Sequence, residues 1–372
     1  MHSKVVVIGA GPAGLAASRV LLREGVDFVL VDSRTFPREK GCGGGLTPRA
    51  LKILRQVFPD VEIQGFETRE LSVNALSEGS FKYIVSLVSK RPIFNKVDRK
   101  EFDQSLLQSI LERDGRLVVS RVLEVKRVKE AFVIMTDGRE LSSDYVIISA
   151  GVFGAKLVGQ EPPCYSVIYH GYSSPTGNAS ITFVPNGYLW SFPGESYDSV
   201  GGGIYPDCEN VSSYEEMSTL IKRVFDEEIE LSGTPIPTFD SEVVLKLNNL
   251  ERGLLFAGDS AGLIDNWIGA GIDFALDSGR QAALSIVEDG YKGKTANERY
   301  LERLFPIARH LQIADAFRKR FNANLDEKLD LLKGKTAGKL LINYLSGYVK
   351  GPYWLTLKSL FTGGVESRST HN

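Results

Sequence analysis

The start of the chain holds the feature that most limits its fold: an apolar run, a glycine-rich turn, a helix and a second apolar run that ends on an acid. The run Val5–Ile8 leads into Gly9-Ala10-Gly11-Pro12-Ala13-Gly14, and the second run ends at Asp32. This spacing is typical of a βαβ unit that holds a dinucleotide, because the glycines permit a tight turn close to a pyrophosphate. The helix N-terminus offers free N–H groups, and Asp32 can bind ribose hydroxyls. We therefore expect nucleotide contacts at Gly9, Gly11, Pro12, Ala13, Gly14, Asp32 and Ser33.

Composition and charge exclude several function classes. The 372 residues carry a net charge of −2, so no basic footprint indicates binding to nucleic acid. No apolar run reaches the length of about 18 residues that spans a membrane. The three cysteines, Cys42, Cys164 and Cys208, are far apart and form neither a disulfide framework nor a CxxC pair. These observations predict a cytoplasmic protein with neither a disulfide nor a metal site.

A second segment with nucleotide-binding character lies near residue 260. Apolar residues 254–257 lead into Gly258 and Asp259, and Gly269-Ala270-Gly271-Ile272 opens a helix. Asp259 follows a buried strand, where its carboxylate can bind a polyol hydroxyl such as those of the ribityl chain of a flavin. The N–H groups at the helix start can face the pyrimidine end of a flavin, where negative charge develops on reduction. Flavin contacts are therefore expected at Gly258, Asp259, Gly271 and Ile272.

Together, these motifs resemble the flavoproteins of the p-hydroxybenzoate hydroxylase-like superfamily. The match spans residues 4–286 and comprises Gly9–Gly14, Asp32, Arg99 with Asp103, and Gly258-Asp259 through Gly271-Ile272. The resemblance implies that the cofactor is FAD. It also implies that Arg99 contacts this cofactor and that Val122 touches its adenine.

One segment departs from that superfamily. Its hydroxylases usually carry an Asp-Gly pair after the strand near residue 148, whereas this chain has Ser149-Ala150-Gly151 at that place. The missing Asp argues against NADPH binding by that route, and with it against a simple monooxygenase.

Two further segments resemble the geranylgeranyl reductase family more narrowly. Residues 185–193, Pro-Asn-Gly-Tyr-Leu-Trp-Ser-Phe-Pro, precede Gly201-Gly202-Gly203 and are similar to the PxxYxWxFP…GxG motif, and residues 36–46 are similar to that family's cysteine–glycine loop. The resemblance implies an aromatic wall beside the flavin, with substrate contacts at Tyr188, Trp190, Phe192, Gly201 and Gly203. It also places the cysteine near the isoalloxazine, with cofactor contacts at Cys42, Gly43 and Gly44. The candidate catalytic residues are Cys42, Tyr188 and Trp190.

The order of predicted elements indicates an α/β protein, α+β overall, with two interleaved units. A discontinuous Rossmann-like FAD-binding domain is expected over residues 1–65, 98–160 and 245–290. An antiparallel β-sheet substrate domain is expected over residues 66–97 and 161–244, and a C-terminal helical segment over residues 291–372. Within the last segment, the apolar and aromatic stretch 340–361 fits a membrane-surface contact or a cap over a lipid slot. Ordinary helices packed on the core are the favoured interpretation of this stretch.

The resemblance implies an FAD-dependent reductase of carbon–carbon double bonds in isoprenoid chains, either as geranylgeranyl diphosphate or in a membrane lipid. Reduced FAD would supply a hydride, and Cys42, Tyr188 or a held water would supply the proton. The expected partners are an isoprenoid or lipid substrate, an external electron donor (a ferredoxin-like protein or NAD(P)H) and the surface of a membrane, but no nucleic acid. One alternative is an FAD-dependent monooxygenase or halogenase of a hydrophobic substrate. A second alternative is a flavoprotein that binds lipid without redox turnover, or a cyclase.

Overall fold

A computed structural model describes residues 2–77, 79–204, 213–323 and 343–344 of the chain. Its strands, in chain order, are β1 (His2–Ile8), β2 (Phe28–Asp32), β3 (Gly45–Leu46), β4 (Phe66–Thr68), β5 (Glu70–Ser77), β6 (Ser80–Val88), β7 (Phe94–Lys96), β8 (Leu117–Val119), β9 (Val122–Val128), β10 (Ala131–Thr136), β11 (Glu140–Ile148), β12 (Tyr165–Ser173), β13 (Ala179–Val184), β14 (Gly187–Phe192), β15 (Asp198–Ile204), β16 (Ser232–Pro237) and β17 (Leu254–Phe256). Its α-helices are α1 (Pro12–Arg23), α2 (Pro48–Val57), α3 (Arg99–Leu111), α4 (Tyr214–Phe225), α5 (Ser241–Asn248), α6 (Ile272–Val287) and α7 (Ala296–Ala323). Short 3-10 helices cover Val152–Val158, Gly258–Ala261 and Tyr291–Gly293.

The N-terminal motif builds the first sheet. Its strand order is β8-β2-β1-β11-β10-β9, and β17 pairs with β11. Strands β8, β2, β1, β11 and β17 run parallel, whereas β10 and β9 form an antiparallel extension. Because residues Val5–Ile8 are buried on both faces of the sheet, the strand is continuously apolar. The predicted α/β class with a Rossmann-like unit is therefore confirmed.

The second sheet has the order β16-β12-β15-β14-β13-β5-β6. One face packs on an apolar cluster that contains Tyr188 and Trp190, and the other packs on a cluster that contains Leu189 and Met217 of α4. The prediction of an antiparallel sheet is wrong at one pairing, since β13 and β5 run parallel. This pairing joins strands about a hundred residues apart, so no local turn fixes their relative direction. The predicted domain boundaries stay a prediction.

A small third sheet, β3-β7-β4, lies beside these two and carries the end of the cysteine–glycine loop. Gly45 of β3 pairs with Lys96 of β7, and Lys96 also pairs with Phe66 of β4. This pairing ties the loop to the segment that leads into α3.

The helical prediction for the C-terminal segment holds for α7, a helix of 28 residues with Pro306 inside it. Apart from residues 343 and 344, the stretch 340–361 lies outside the described residues. None of the described helices is both long enough and apolar enough to cross a membrane. The expectation of no disulfide is wrong, because Cys164 is disulfide-bonded, whereas Cys42 is a free thiol. Spacing along the chain does not report which cysteines the fold brings together, and Cys208 lies outside the described residues.

Helices α1 and α6 approach each other too closely for a side chain at Gly279. A Cβ atom there would lie 1.9 Å from the backbone oxygen of Ala13. We predict that Gly279→Ala lowers the free energy of unfolding by about 1–3 kcal/mol, because the helices must separate. The control is Gly138→Ala, where the nearest atom to the new Cβ is 3.7 Å away. Chemical denaturation of both variants measures the effect, and equal stability would contradict the packing argument.

Candidate functional site

The glycine turn between β1 and α1 has the geometry that the motif predicts. Gly9 has a φ of +99°, and a Cβ there would lie 2.3 Å from the backbone oxygen of Ser149. A Cβ at Gly14 would lie 1.8 Å from the oxygen of Gly9, so Gly14 serves the packing of the helix against the turn. Gly11 has open space on its Cβ side, where only an Arg38 nitrogen comes within 4.0 Å. The backbone at Gly11 is therefore the part of the turn that a ligand can approach most closely.

Asp32 lies at the end of β2 and holds the neighbouring loops. Its two carboxylate oxygens accept hydrogen bonds from the backbone N–H groups of Ala10, at 2.7 Å, and Arg34, at 2.9 Å. No side chain caps the N-terminus of α1, where Pro12 is the first residue. This helix end therefore presents uncapped N–H groups, which favour an anion such as a pyrophosphate.

Basic side chains surround this turn. Arg99 is buried and makes a two-fold ion pair with Asp103, at 2.9 and 2.8 Å. Burial alone would lower the pKa of Arg99, but Asp103 and Cys42 outweigh it and raise that pKa. Arg38, which the sequence analysis did not select, donates to the oxygen of Ala10 at 3.2 Å and lies 3.7 Å from Asp103. The only sequence signal for it is a basic residue in the loop that follows the βαβ unit.

These groups line a cavity of about 470 Å³ at the carboxyl ends of the parallel strands. Most residues predicted to bind the cofactor line it: Gly9, Gly11, Pro12, Ala13, Asp32, Ser33, Cys42, Arg99, Val122, Gly258, Asp259, Gly271 and Ile272. Gly14 lies behind the turn, and Gly43 and Gly44 line a different cavity. Lys40 and Arg38 also line the large cavity.

Asp259 lies beside the start of α6. A Cβ on Gly271 would be 3.8 Å from its carboxylate oxygen. Burial raises the pKa of Asp259, and the positive charges of Lys40 and Arg99 oppose this shift. No side chain caps α6 at Gly271, so the N–H groups of its first turn face the same cavity. A polyol hydroxyl and a developing negative charge would each find a partner here.

The cysteine–glycine loop, residues 36–46, packs directly against side chains of the second sheet. A Cβ at Gly41 would lie 2.3 Å from the ring of His170, and one at Gly43 would lie 2.9 Å from the indole nitrogen of Trp190. Gly44 has a φ of +73° and faces the backbone oxygen of Val97. The close approach holds Cys42 between the two sheets. Its sulfur accepts a hydrogen bond from the N–H of Gly44, at 3.4 Å.

A second cavity, of about 120 Å³, lies on the other side of this loop. Its walls are mostly aliphatic and aromatic, from β5, β7, β12, β13, β14 and the segment before α6. Tyr188, Trp190 and Phe192 alternate along β14, so all three face this cavity. The ring centroids of Phe192 and Phe94 are 4.5 Å apart, which closes the wall at one side.

Gly201 and Gly203 do not line this cavity, but they make room for the rings that do. A Cβ at Gly201 would lie 2.4 Å from the ring of Trp190, and one at Gly203 would lie 2.9 Å from Ile168. The absence of side chains at these two positions therefore leaves space for the side chains of Trp190 and Ile168 beside β15.

The two cavities meet at one place. The residues that line both are Cys42, Ile168, Ile236, Gly269, Gly271 and Ile272. Among the described residues, a ligand in the large cavity can therefore approach a ligand in the apolar cavity at this junction, which includes the Cys42 thiol and the start of α6.

Buried polar groups that the sequence analysis missed shape this junction. Asp265 accepts hydrogen bonds from the N–H groups of Trp267, at 2.8 Å, and Ile268, at 3.2 Å, and from the hydroxyl of Tyr344. Burial alone would raise the pKa of Asp265, but His310, whose Nε2 lies 3.8 Å from the carboxylate, and the hydrogen bond from Tyr344 lower it. These bonds hold the turn that carries Gly269 and Gly271.

A buried ion pair connects α2 to the start of α6. Arg49 donates to the Asp273 carboxylate, and Thr47 donates to the same oxygen at 3.0 Å. Arg49 also lies over the ring of Phe274, 4.4 Å from its centroid. No local pattern in the sequence indicated this pair, because its partners are more than two hundred residues apart.

Comparison with known proteins agrees with this geometry. A family described as FAD binding domain matches residues 2–72. Menaquinone reductase of Mycolicibacterium smegmatis is 27% identical over 84% of this chain and 84% of its own length. Digeranylgeranylglycerophospholipid reductase 2 of Methanosphaera stadtmanae is 22% identical over 89% of this chain and 90% of its own length.

The fold is shared with solved structures. A geranylgeranyl bacteriochlorophyll reductase-like protein of Thermoplasma acidophilum has a TM-score of 0.70 at 20% identity, over 96% of both chains. A flavin-dependent brominase has a TM-score of 0.70 at 18% identity, over 96% of this chain and 98% of its own. A halogenase has a TM-score of 0.71 at 13% identity, over 96% of this chain and 90% of its own. The chain is an FAD-dependent flavoprotein. Its resemblance to the geranylgeranyl reductase flavoproteins, drawn from the sequence, is confirmed by these relatives.

The large cavity of this flavoprotein fits FAD on its own chemistry. The uncapped N-terminus of α1 suits the pyrophosphate, and Asp32 and Val122 lie where the adenosine half would bind. The Asp259 carboxylate and the first turn of α6 suit the ribityl chain and the pyrimidine ring. In this arrangement the reactive part of the flavin would lie at the junction with the apolar cavity.

We predict that Asp259→Asn raises the FAD dissociation constant about tenfold, because a hydrogen bond to a charged acceptor is weakened. Titration of the FAD-free protein, followed by flavin fluorescence, measures the constant. Asp226→Asn, at an exposed position, serves as the matched control. If both variants bind FAD as tightly as the unchanged protein, the assignment of Asp259 is wrong.

Proposed function

We propose that this flavoprotein reduces carbon–carbon double bonds in the isoprenoid chains of lipids. One observation carries the proposal: an apolar, aromatic-walled cavity opens into the cofactor cavity beside a free cysteine. An alkene that enters this cavity would lie next to the reactive edge of the flavin, with a thiol within reach.

The lining of the apolar cavity suits a hydrocarbon chain rather than its head group. No Lys, Arg or His is among the described residues that line it. The negative charge of Asp273 is neutralised by Arg49. A diphosphate or other charged head group would therefore stay outside while the chain enters.

The span of the cavity suits several isoprene units. Its lining residues extend from Ile168 on β12 to Val73 on β5, and these strands are four positions apart in the sheet. Four strand spacings correspond to about 19 Å. An extended isoprene unit measures about 5 Å from standard bond lengths, so about four units would cross this distance.

The chemistry divides between the cofactor and the protein. Bound FAD, when reduced, supplies a hydride to one carbon of the double bond. The Cys42 thiol lies at the junction and would give its proton to the other carbon. The apolar walls exclude water and hold the chain, which matters because an isolated alkene is a poor hydride acceptor. Tyr188 is the alternative proton donor, since it lines the same cavity.

The named relatives support this substrate class. Digeranylgeranylglycerophospholipid is a lipid with isoprenoid chains, and menaquinone also carries a polyprenyl chain. A lipid substrate lies in a membrane, so the proposal includes contact with a membrane surface on the cytoplasmic side. It also requires an external electron donor for the flavin, either a ferredoxin-like protein or NAD(P)H.

The decisive experiment is anaerobic. The protein-bound flavin is reduced with dithionite, excess reductant is removed, and a geranylgeranylated phospholipid, menaquinone or geranylgeranyl diphosphate is added. We expect flavin reoxidation without oxygen and a product that is heavier by pairs of hydrogens. Cys42→Ala should slow this reaction about a hundredfold or more, the usual loss when a general acid is removed.

Two outcomes would contradict the proposal. If the flavin stays reduced with every prenyl substrate, the protein does not reduce such double bonds. If it turns over only with oxygen and releases an oxygenated or halogenated product, the oxygenase or halogenase alternative is correct.

The far end of the cavity should set how much chain can enter. Val73 is buried there on β5. We predict that Val73→Phe lowers turnover of geranylgeranyl substrates about tenfold, while shorter geranyl substrates keep most of their rate, since the lost space holds only the distal units. Val88→Phe, on the edge strand and 70% exposed, is the control. If Val73→Phe lowered turnover of geranyl and geranylgeranyl substrates equally, the far end would not determine which chain length the cavity accepts.

A further inference from the structure

A third, small cavity is also lined by Cys42. Its volume of about 10 Å³ has room for a single water molecule. Cys42 is the one described residue that lines this cavity, the apolar cavity and the cofactor cavity together. Unlike the apolar cavity, the third cavity has mostly polar and titratable walls, which include Lys40, Lys96, Asp98, Lys100, Tyr172 and Tyr197.

Lys96 is the unusual group in this cavity. The residue is only 7% exposed, and its ammonium lies over the ring of Tyr197, 4.0 Å from the centroid. Among the described residues, no carboxylate comes within ion-pair distance of Lys96. Burial lowers the pKa of Lys96, although Asp98 and Asp198 oppose the shift. A buried ammonium without a carboxylate partner gives up a proton more readily than a surface lysine does.

Part of the cavity wall is exposed to solvent. There Lys100 pairs with Glu39 at 3.3 Å, and the Glu39 side chain is 72% exposed. The rings of Tyr172 and Tyr197, which also line the cavity, meet edge to face with their centroids 4.6 Å apart. The Tyr197 hydroxyl donates to Asp98, which holds this wall in place. Polar groups therefore lead from the solvent to the sulfur without crossing the apolar cavity.

We propose that this cavity is the proton inlet of the site, and that Lys96 returns a proton to Cys42 after each turnover. The inference rests on the proposed function, in which the thiol protonates the substrate. The S–H bond of Cys42 breaks as the new C–H bond forms, and a thiolate remains. The Lys96 ammonium then passes a proton through one water to this thiolate, and the neutral amine takes a proton from solvent. The hydride and the electrons of the reaction come from reduced FAD, so no other redox partner enters this step.

The proposal makes the first turnover differ from the later ones. In Lys96→Met, the first flavin reoxidation should stay within about twofold of the unchanged protein, because the proposed return of a proton to Cys42 follows the first turnover. Steady-state turnover with excess dithionite should fall about tenfold or more, after a burst of one product per flavin. Lys96→Arg should behave like Lys96→Met, because a guanidinium keeps the charge but does not release its proton. Lys126→Met, 65% exposed and far from the site, is the control.

A second readout needs neither substrate nor turnover. The infrared S–H stretching band of Cys42, assigned by its absence in Cys42→Ala, converts to an S–D band when the FAD-bound protein is mixed with D₂O. We expect slower conversion in Lys96→Met and Lys96→Arg than in Lys126→Met. If the S–H bond exchanges in both Lys96 variants as fast as in Lys126→Met, Lys96 is not the proton inlet. The same conclusion would follow if the Lys96 variants lost equal rate in the first and the later turnovers. Failure of the proposed function would appear instead in the unchanged protein, as a flavin that no prenyl substrate reoxidises.

Discussion

The close packing of the cysteine–glycine loop against the second sheet is the contact on which the rest of the site depends. Side chains at Gly41 or Gly43 would collide with the rings of His170 and Trp190. Because these positions carry no side chain, the loop forms a thin partition between the cofactor cavity and the apolar cavity. A thicker partition would increase the distance between ligands bound in the two cavities, and the proposed hydride transfer requires that this distance be short.

Buried charges hold the other side of this junction. Asp265 fixes the turn before α6, and the pair of Arg49 with Asp273 ties the first turn of α6 to α2. Such pairs add little net stability, since desolvation offsets much of the attraction. Their value here is geometric, because they hold backbone N–H groups where the flavin ring is expected.

Much of the fold could be predicted from local patterns. The glycine turn, the helix over Pro48–Val57 and the aromatic strand β14 depend on neighbouring residues, so a single sequence reveals them. The parallel pairing of β13 with β5 and the disulfide at Cys164 join distant segments, and no local signal encodes them.

The same limit applies to the site. Recognisable sequence motifs contain Gly9, Asp32 and Asp259, and in the structure all three line one cavity. By contrast, no motif in the sequence contains Arg49, Lys96 or Asp265. Their positions near Cys42 or the start of α6 follow only from the packing of the two sheets, which sequence spacing does not report.

The two ends of the apolar cavity come from different stretches of chain. The end beside the cofactor cavity is built by residues 42–45 and 268–273, whereas the distal end is built by Leu71, Val73 and Ile93 from the stretch 66–97. Substitutions in that stretch can reshape the distal wall while the redox centre keeps its geometry. Evolution could therefore change which molecules such a scaffold binds without changing the chemistry at its redox centre. This agrees with the different substrates named for its relatives.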